Sequence, residues 1–374
     1  MRLCLLAAFV AVVLSSSDHE RRKRWAELPS ELAVGADPSK TLVFVSAVWR
    51  HGDRSPTDRG AGDALKEEDW DFGGGGYGQL SPLGMQQHFT LGRSLRTRFI
   101  DTKFLKPSYS AKEIYVRATD VNRTLVSAMS NMAGMYSGLG NAVSRPGIDF
   151  PDQLAGWPAG LVPVPIHTDV RPGDYIANPD AACARQKQLW TLVQQTKEYK
   201  NYENNHFGMH FSANVSTWYP WYTEDVKRRV DEIDDKNIDF QNGIFDNGVT
   251  DSGVDLTIEI PKIRGGSLIK EIYQEADGVI DCYKNITLGL PGRCHPDDHY
   301  YQNLKYHVIS AHDTTVTAYL TVLGAKAHVV KPGGYPHYAS TVLTEFYYDN
   351  TANKPGCTLG QEYCDVAALE KLVA

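Results

Sequence analysis

The sequence lacks an excess of positive charge and has few long apolar runs. Its 374 residues carry a formal net charge of −7 at pH 7, so nothing general in its electrostatics supports a nucleic-acid partner. After the first residues, no apolar run is long enough for a stable membrane span. These absences predict neither a nucleic-acid-binding protein nor a membrane-spanning one. The 42% hydrophobic residues are nevertheless sufficient for a large core.

A phosphate-binding glycine loop and a zinc site are also missing. Four consecutive glycines occupy positions 73–76, but no Gly-Lys-Ser or Gly-Lys-Thr follows, so they predict a mobile loop. Cys282, Cys294, His295 and His299 lie close together along the chain. The cysteine spacing is not the short one of structural zinc sites, and we therefore expect no metal there.

The first residues have the pattern of a secretory signal peptide. Arg2 precedes a short apolar run, and small serines end it at Ser15–Ser17. We expect residues 1–17 to be a signal peptide and residues 18–38 to be a linker or a propeptide. The basic run Arg21–Arg24 is either a processing site or a solvated stretch. The predicted location is outside the cell, with the lysosomal lumen as the alternative.

Five of the six cysteines remain after removal of such a signal, because Cys4 leaves with it. In an oxidising compartment most cysteines pair. Proximity in the sequence favours the disulfides Cys282–Cys294 and Cys357–Cys364. Cys183 is then left over, and it is either buried or paired with a second chain in a homodimer.

Three Asn-x-Ser/Thr sequons are present, at Asn122, Asn214 and Asn285. Asn214 and Asn285 lie in polar, loop-like surroundings and are predicted to carry glycans. Asn122 falls in the first turns of a predicted helix, where we expect it to cap the helix and to remain unmodified. The predicted buried side of that helix consists of Val121, Leu125, Val126 and Met129.

Apolar runs and helix signals predict strands that alternate with helices. Strands are predicted at 41–48, 113–119, 305–310 and 341–350. Helices follow the first three, and Ser81 before Pro82 caps the first of them. This alternation predicts an α/β core with a mainly parallel sheet covered on both faces. The core comprises residues 39–169 and 300–374, and residues 170–299 form an inserted, mostly helical cap.

Cationic side chains follow three of these strands. Parallel strands end at the same edge of a sheet, which is where ligands of open α/β sheets bind. Such an excess of guanidinium groups suits an oxyanion, because arginine binds phosphate through a planar fork and stays charged. The residues predicted to converge are Arg50, His51 and Arg54 after the first strand, Arg117 at the end of the second, and His312 and Asp313 after the third.

Phosphoryl transfer gives each of these residues a role. His51 lies between two arginines and is the predicted nucleophile, which would form a phosphohistidine. Asp313 is the predicted proton donor, while Arg50, Arg54, Arg117 and His312 bind the phosphate. An anionic substrate should raise the pKa of Asp313, which predicts an acid optimum. The arginines replace a metal in this scheme, so we expect no metal and no cofactor.

The motif "RHGDRSP" resembles the signature of the histidine acid phosphatases, and "SAHDTT" resembles their His-Asp motif. The segments "VRATDVNRTLVSAMSNM" and "YGQLSPLGMQQH" are also similar to parts of that family. The resemblance extends from about residue 40 to 370, and is strongest to the animal prostatic and lysosomal enzymes. It implies a phosphoglycerate mutase-like three-layer α/β/α core with an inserted helical cap, and the site residues named above.

The resemblance implies an acid phosphatase that hydrolyses small phosphate monoesters or phosphoproteins. Alternatives within the family are a phytase-like or a lysophosphatidate-type phosphatase. A cytosolic phosphotransferase of the mutase type is disfavoured by the predicted signal peptide. A secreted protein that binds phosphate without activity is a further alternative, and the presence of both His51 and Asp313 argues against it.

Overall fold

A mixed seven-stranded sheet organises the chain. The structure is a computed structural model that describes residues 3–11, 40–60, 64–138, 145–152, 156–158, 160–206, 223–246, 248–295, 298–330, 335–349 and 363–365. The strands are β1 (Leu3–Ala11), β2 (Lys40–Arg50), β3 (Ile114–Thr119), β4 (His167–Asp169), β5 (Thr250–Asp251), β6 (Val254–Asp255), β7 (Tyr306–Ala311), β8 (Thr341–Asp349) and β9 (Tyr363–Asp365). The order in the main sheet is β4-β3-β7-β2-β8-β1-β9, and β5 and β6 form a separate pair.

Helices account for most of the remaining described elements. They are α1 (Pro82–Phe99), α2 (Asn122–Tyr136), α3 (Ala184–Gln195), α4 (Lys197–His206), α5 (Glu224–Gln241), α6 (Leu256–Cys282), α7 (Asp313–Val322) and α8 (Lys326–Val329). The Ser81 hydroxyl accepts a hydrogen bond from the Gly84 N–H at the start of α1, as the sequence predicts. Among the described helices, none combines the length and the apolar character of a bilayer-crossing segment.

The sheet is parallel where the site residues lie. β4, β3, β7 and β2 all run in one direction, and β8 pairs with β2 in the opposite direction. All four predicted strands are present, with ends that differ by one or two residues from the prediction. The sequence did not predict β1, which lies inside the proposed signal peptide and pairs with β8 and β9.

Helices cover both faces of this sheet, which confirms the predicted three-layer arrangement. On one face, Trp49 and Val116 of the sheet pack with Leu91 of α1 and Met132 of α2. On the other face, Phe44, Val48 and Ile309 pack with α6 and α7. Consecutive strand residues point to opposite faces, so buried strands carry apolar side chains at nearly every position.

Helices α3 to α5, with the first turns of α6, form a separate apolar cluster. Its buried members are Leu189, Val193, Phe240, Leu256 and Ile260. Helix α6 is long enough to pack its later residues on the sheet as well. It therefore ties the predicted cap to the core.

The buried side of α2 differs from the prediction. Met129 is 54% exposed, and the buried positions are Thr124, Ser127, Ala128, Asn131, Met132, Gly134, Met135 and Tyr136. The reason is a close approach of α1 and α2: a Cβ on Gly92 would lie 2.1 Å from the Asn131 carbonyl oxygen. Small and polar side chains fit this interface, so hydrophobicity alone selected the wrong face.

Asn122 does not cap α2, contrary to the prediction. It is the first residue of the helix, its side chain is exposed, and its Nδ2 donates to Gln79 Oε1 at 3.3 Å. The hydroxyl of Thr124 instead bonds the Thr119 and Val121 carbonyls, at 2.8 and 2.7 Å.

The structure contains the predicted Cys282–Cys294 disulfide, with a Cα–Cα distance of 4.6 Å. Cys183 is a half-buried free thiol. Asn285 is exposed, as a glycan would require. Cys357 and Asn214, which belong to the other predicted disulfide and glycan, lie outside the described residues.

Candidate active site

The three predicted strands end side by side. In the sheet, Arg50 of β2 is level with Ala311 of β7, and Ala118 of β3 is level with Ser310. The residues that follow these strands therefore meet at one edge of the sheet, where His51 and His312 lie with their ring centroids 5.6 Å apart.

Gly52 lets the loop after β2 fold tightly against the start of α1. A Cβ on Gly52 would lie 2.4 Å from the Gly84 carbonyl oxygen, and one on Gly84 would lie 2.2 Å from the Asp53 carbonyl oxygen. Ser81 Oγ donates a hydrogen bond to Asp53 Oδ2 at 2.5 Å, which also links the loop after β2 to the start of α1. Glycine is thus required at both positions, because the two backbones touch.

His51 is buried, with 2% of its surface exposed, and its tautomer follows from its hydrogen bond. Nδ1 lies 2.7 Å from the Gly52 carbonyl oxygen, which can only accept, so Nδ1 carries the proton. Nε2 is therefore the unprotonated nitrogen. Burial, together with the charges of Arg50, Arg123 and His312, holds the pKa of His51 well below its ordinary value. The lowered pKa favours the neutral imidazole, in which Nε2 keeps a free electron pair.

Arg50 and Asp313 form an ion pair beside His51, with Nη2 and Oδ2 2.9 Å apart. Arg50 also donates from Nη1 to the Pro336 carbonyl oxygen at 2.7 Å, and its guanidinium carbon lies 4.2 Å from the centre of the Tyr338 ring. Asp313 begins α7 and accepts from the Thr314 N–H at 2.8 Å. Burial raises the pKa of Asp313, but Arg50 and this N–H outweigh it, so the net pKa lies below the ordinary value.

His312 is held by a pair of threonine hydroxyls. Its Nε2 lies 2.9 Å from Thr119 Oγ1, which lies 3.0 Å from Thr124 Oγ1. Because the Thr124 proton goes to main-chain carbonyls, the Thr119 hydroxyl donates to Thr124 and accepts from His312. Nε2 of His312 thus carries a proton. Burial, followed by the charge of Arg123, lowers the pKa of His312 to about 3.

Arg54 and Arg123 add two positive charges without carboxylate partners in the described part of the chain. Arg54 donates to the Ser55 carbonyl oxygen at 2.8 Å, and Arg123 makes only a long 3.5 Å contact with the Gly78 carbonyl oxygen. Burial and the neighbouring Arg54 lower the pKa of Arg123 to about 10. Arg123 is also the middle residue of the sequon at Asn122, and the sequence did not predict it as a site residue. Its position just past the end of β3, in the first turn of α2, was the signal that could have found it.

The structure does not bring Arg117 into this cluster. Its guanidinium is 5% exposed and pairs with Asp169, Asp174 and Glu271, at 2.7, 2.7 and 3.1 Å. Arg117 is level with Ile309, two residues before the end of β7, and therefore about 7 Å short of the sheet edge. It is a structural ion-pair centre, and Arg123 occupies the place that the prediction gave to Arg117.

The described site therefore contains an imidazole whose Nε2 is unprotonated, a carboxylate beside it and several guanidinium groups. Guanidinium groups without carboxylate partners stabilise a bound oxyanion, and an adjacent imidazole with a free nitrogen can attack it. This arrangement at the edge of an α/β sheet is suited to binding a phosphate ester.

The chain belongs to the histidine phosphatase superfamily, branch 2, whose family model matches residues 41–242 and 210–357. A Caenorhabditis elegans relative that bears an acid phosphatase name is 32% identical over 86% of this chain and 84% of its own. Lysosomal acid phosphatase of Xenopus laevis is 30% identical, over 86% of this chain and 69% of its own. Prostatic acid phosphatase of Homo sapiens is 28% identical, over 83% and 75%. These matches confirm the family to which the sequence motifs point.

Solved structures show the same fold. A phytase of Hafnia alvei in complex with tartrate superposes with a TM-score of 0.53 at 16% identity, covering 90% of this chain and 97% of the phytase. At this identity, the likeness establishes the shared fold.

Proposed function

We propose that this protein is an acid phosphatase that hydrolyses phosphate monoesters through a phosphohistidine on His51, without a metal or another cofactor. The observation that carries the proposal is the protonated Nδ1 of His51, which leaves Nε2 unprotonated among Arg50, Arg54 and Arg123. Small phosphate esters or phosphoproteins are the proposed substrates.

In the first step, Nε2 of His51 attacks phosphorus and the bond to the leaving alkoxide breaks. The developing negative charge is stabilised by Arg50, Arg54 and Arg123. Asp313 gives its proton to the alkoxide. In the second step, Asp313 removes a proton from the water that attacks the phosphohistidine, and the bond between phosphorus and Nε2 breaks to release inorganic phosphate and free His51. A phosphate dianion also raises the pKa of His312, which gains a second N–H for a phosphoryl oxygen while Nε2 stays bonded to Thr119.

The proposed acid optimum depends on the protonation states of Asp313 and His51. The pKa of free Asp313 is low because Arg50 pairs with it, so the carboxyl must gain a proton before it can act as an acid. A bound phosphate shares Arg50 with Asp313 and raises the pKa of that carboxyl. His51 remains neutral at low pH, so acid activates Asp313 without disabling the nucleophile.

We further propose that residues 1–17 direct the chain into the secretory pathway and are removed, and that the protein acts outside the cell or in the lysosomal lumen. Removal would take β1 out of the sheet and leave β8 exposed along one side. Sequencing of the mature N-terminus of the protein from culture medium and from lysosomes tests both parts.

Hydrolysis of phenyl phosphate between pH 4 and 8, with and without EDTA, tests the enzymatic proposal. We expect turnover that is greatest in acid, that survives EDTA and that vanadate or tartrate inhibits. Loss of activity in EDTA with recovery on added zinc or magnesium would reject the metal-free mechanism. No hydrolysis at any pH would reject the phosphatase itself.

A further inference from the structure

We propose that Arg171 forms a second anion subsite beside the catalytic phosphate site, so that the preferred substrates carry another phosphate or carboxylate group near the scissile phosphate. This inference rests on the proposed function and specifies its substrate class. Arg171 opens a short helical turn, Arg171–Gly173, directly after β4.

The register of the sheet places Arg171 at the catalytic edge. Asp169 of β4 is level with Thr119 of β3, the residue whose hydroxyl contacts His312. Arg171 follows two residues later, beyond the end of β4 and on the side where Arg123 begins α2. Its charge acts on both Arg123 and His312. The exposed guanidinium therefore lies near the residues that would surround a substrate.

The nearest carboxylates along the chain do not neutralise Arg171. Asp169, two residues before it, pairs with Arg117 at 2.7 Å, and Asp174, three residues after it, also pairs with Arg117 at 2.7 Å. In the described part of the chain, no carboxylate lies within ion-pair distance of Arg171. Because Asp169 and Asp174 both pair with the buried Arg117, neither of them neutralises the charge of Arg171.

The turn that carries Arg171 is anchored. Asp174 Oδ1 accepts from the N–H groups of Ile176 and Ala177, at 3.2 and 2.9 Å, in addition to Arg117. Pro172 restricts the backbone within the turn. Because the backbone of the turn is already ordered, an anion that binds Arg171 does not have to order the turn as well.

Charge counting points to a second anion. Arg50 is neutralised by Asp313, whereas Arg54, Arg123 and Arg171 have no carboxylate partner among the described residues. A phosphate monoester brings about two negative charges above its second pKa of about 6, and fewer in acid. Three guanidinium charges are thus balanced only when the substrate carries more negative charge than one phosphate supplies.

The test compares three esters of similar size at pH 5: 3-hydroxypropyl phosphate, propane-1,3-diyl bisphosphate and 3-carboxypropyl phosphate. We expect kcat/KM for the bisphosphate, halved for its two equivalent ends, to exceed that for the hydroxypropyl ester about tenfold, mainly through KM. In Arg171→Ala this ratio should fall to about one, and Arg171→Lys should keep part of it. Arg185→Ala removes an exposed arginine of α3 and should keep the wild-type ratio.

Equal values for all three esters, or a bisphosphate preference that persists in Arg171→Ala, would overturn the subsite while phosphatase activity stands. A preference for the bisphosphate alone assigns the subsite to phosphate, and a preference for both anions assigns it to anions in general. If the hydroxypropyl ester is not hydrolysed, the proposed function fails separately. Calorimetric titration of His51→Ala with the same esters still tests the subsite, and equal affinities would reject it.

Discussion

Exchanging Arg123 and Arg117 for methionine, one at a time, tests the proposal that Arg123 binds the substrate phosphate, while Arg117 holds a buried ion-pair network. Methionine retains much of the side-chain volume and removes the charge, so the two variants are matched. Arg123→Met should lose activity and keep its stability, whereas Arg117→Met should lose stability first.

The magnitudes follow from the partners of each guanidinium. Loss of one charge-stabilising donor typically lowers kcat by about 10²–10³, or about 2.7–4 kcal/mol, and we expect this for Arg123→Met. Arg123 has no carboxylate partner in the described residues, and its pKa is lowered to about 10 by burial and Arg54. Its removal should therefore change the free energy of unfolding by less than about 1 kcal/mol.

Arg117→Met leaves three carboxylates without their cation. Asp174 is 1% exposed and Glu271 is 19% exposed, so water cannot replace the guanidinium fully. Breaking a buried ion pair by removing one partner costs about 3–5 kcal/mol of unfolding free energy. We expect a loss of this size for Arg117→Met, with kcat/KM falling less than in Arg123→Met where the protein remains folded.

The assays are kcat/KM for phenyl phosphate at pH 5 and urea unfolding at pH 7. Arg123→Met with activity within about threefold of wild type would refute its role in binding phosphate. Arg117→Met with wild-type stability and a 10²-fold loss of kcat/KM would restore the original prediction for that residue.

Four further predictions concern the remaining groups. Acid quenching after brief exposure to labelled substrate should trap phosphate on His51 and leave His51→Ala unlabelled, and label on serine or aspartate would contradict the nucleophile. Asp313→Asn should reduce turnover more for alkyl phosphates than for nitrophenyl phosphate, whose leaving group hardly needs a proton, and equal losses would exclude a general acid. Burial lowers the pKa of His88 to about 4, so its contribution to stability is full above about pH 6.5 and is lost as the pH falls. In His88→Gln, the free energy of unfolding should therefore fall less steeply in acid, by about 1.4 kcal/mol per pH unit. An unchanged pH dependence of urea unfolding would contradict this. Peptide mapping should find a glycan on the exposed Asn285 and none on Asn122, because the Asn122 amide lies in the first turn of α2 and is bonded to Gln79; high occupancy at Asn122 would contradict this.

Strands β2, β3, β7 and β8 and the fold class were predictable because buried strands need continuous apolar runs, whereas the exposed strand β4 has no such run. Helix α1 was also predictable, since Ser81 and Pro82 give a helix start with a simple local chemistry. The residues at and directly after the ends of β2 and β7 lie together, as the sequence predicts, because these two strands pair in parallel and end level with each other.

Arg117 was misplaced because the sequence shows where a strand lies but not its register against its neighbours. A shift of two residues along the strand decides whether a side chain lies at the edge of the sheet or inside it. Only the pairing with β7 shows that Arg117 lies inside. The carboxylates that bind it come from β4, the turn after it and α6, and no local pattern connects them.

The face of α2 was unpredictable for another reason. Its contact with α1 is made across Gly92 and Gly134, where backbones approach more closely than apolar side chains permit. Ser127 and Asn131 are buried there, while Met129 is exposed. A hydrophobicity pattern cannot identify an interface that excludes large hydrophobic residues.

In the proposed scheme, the residues that react and the residue that selects the substrate come from different parts of the chain. His51, Arg123 and Asp313 come from segments on either side of the long excursion between β4 and β7, whereas Arg171 is among its first residues. Insertions, deletions or substitutions in the segment between β4 and β7 can therefore change which substrates reach His51 without changing the residues around His51. Related enzymes that differ in this segment can therefore differ in substrate specificity while they catalyse the same reaction.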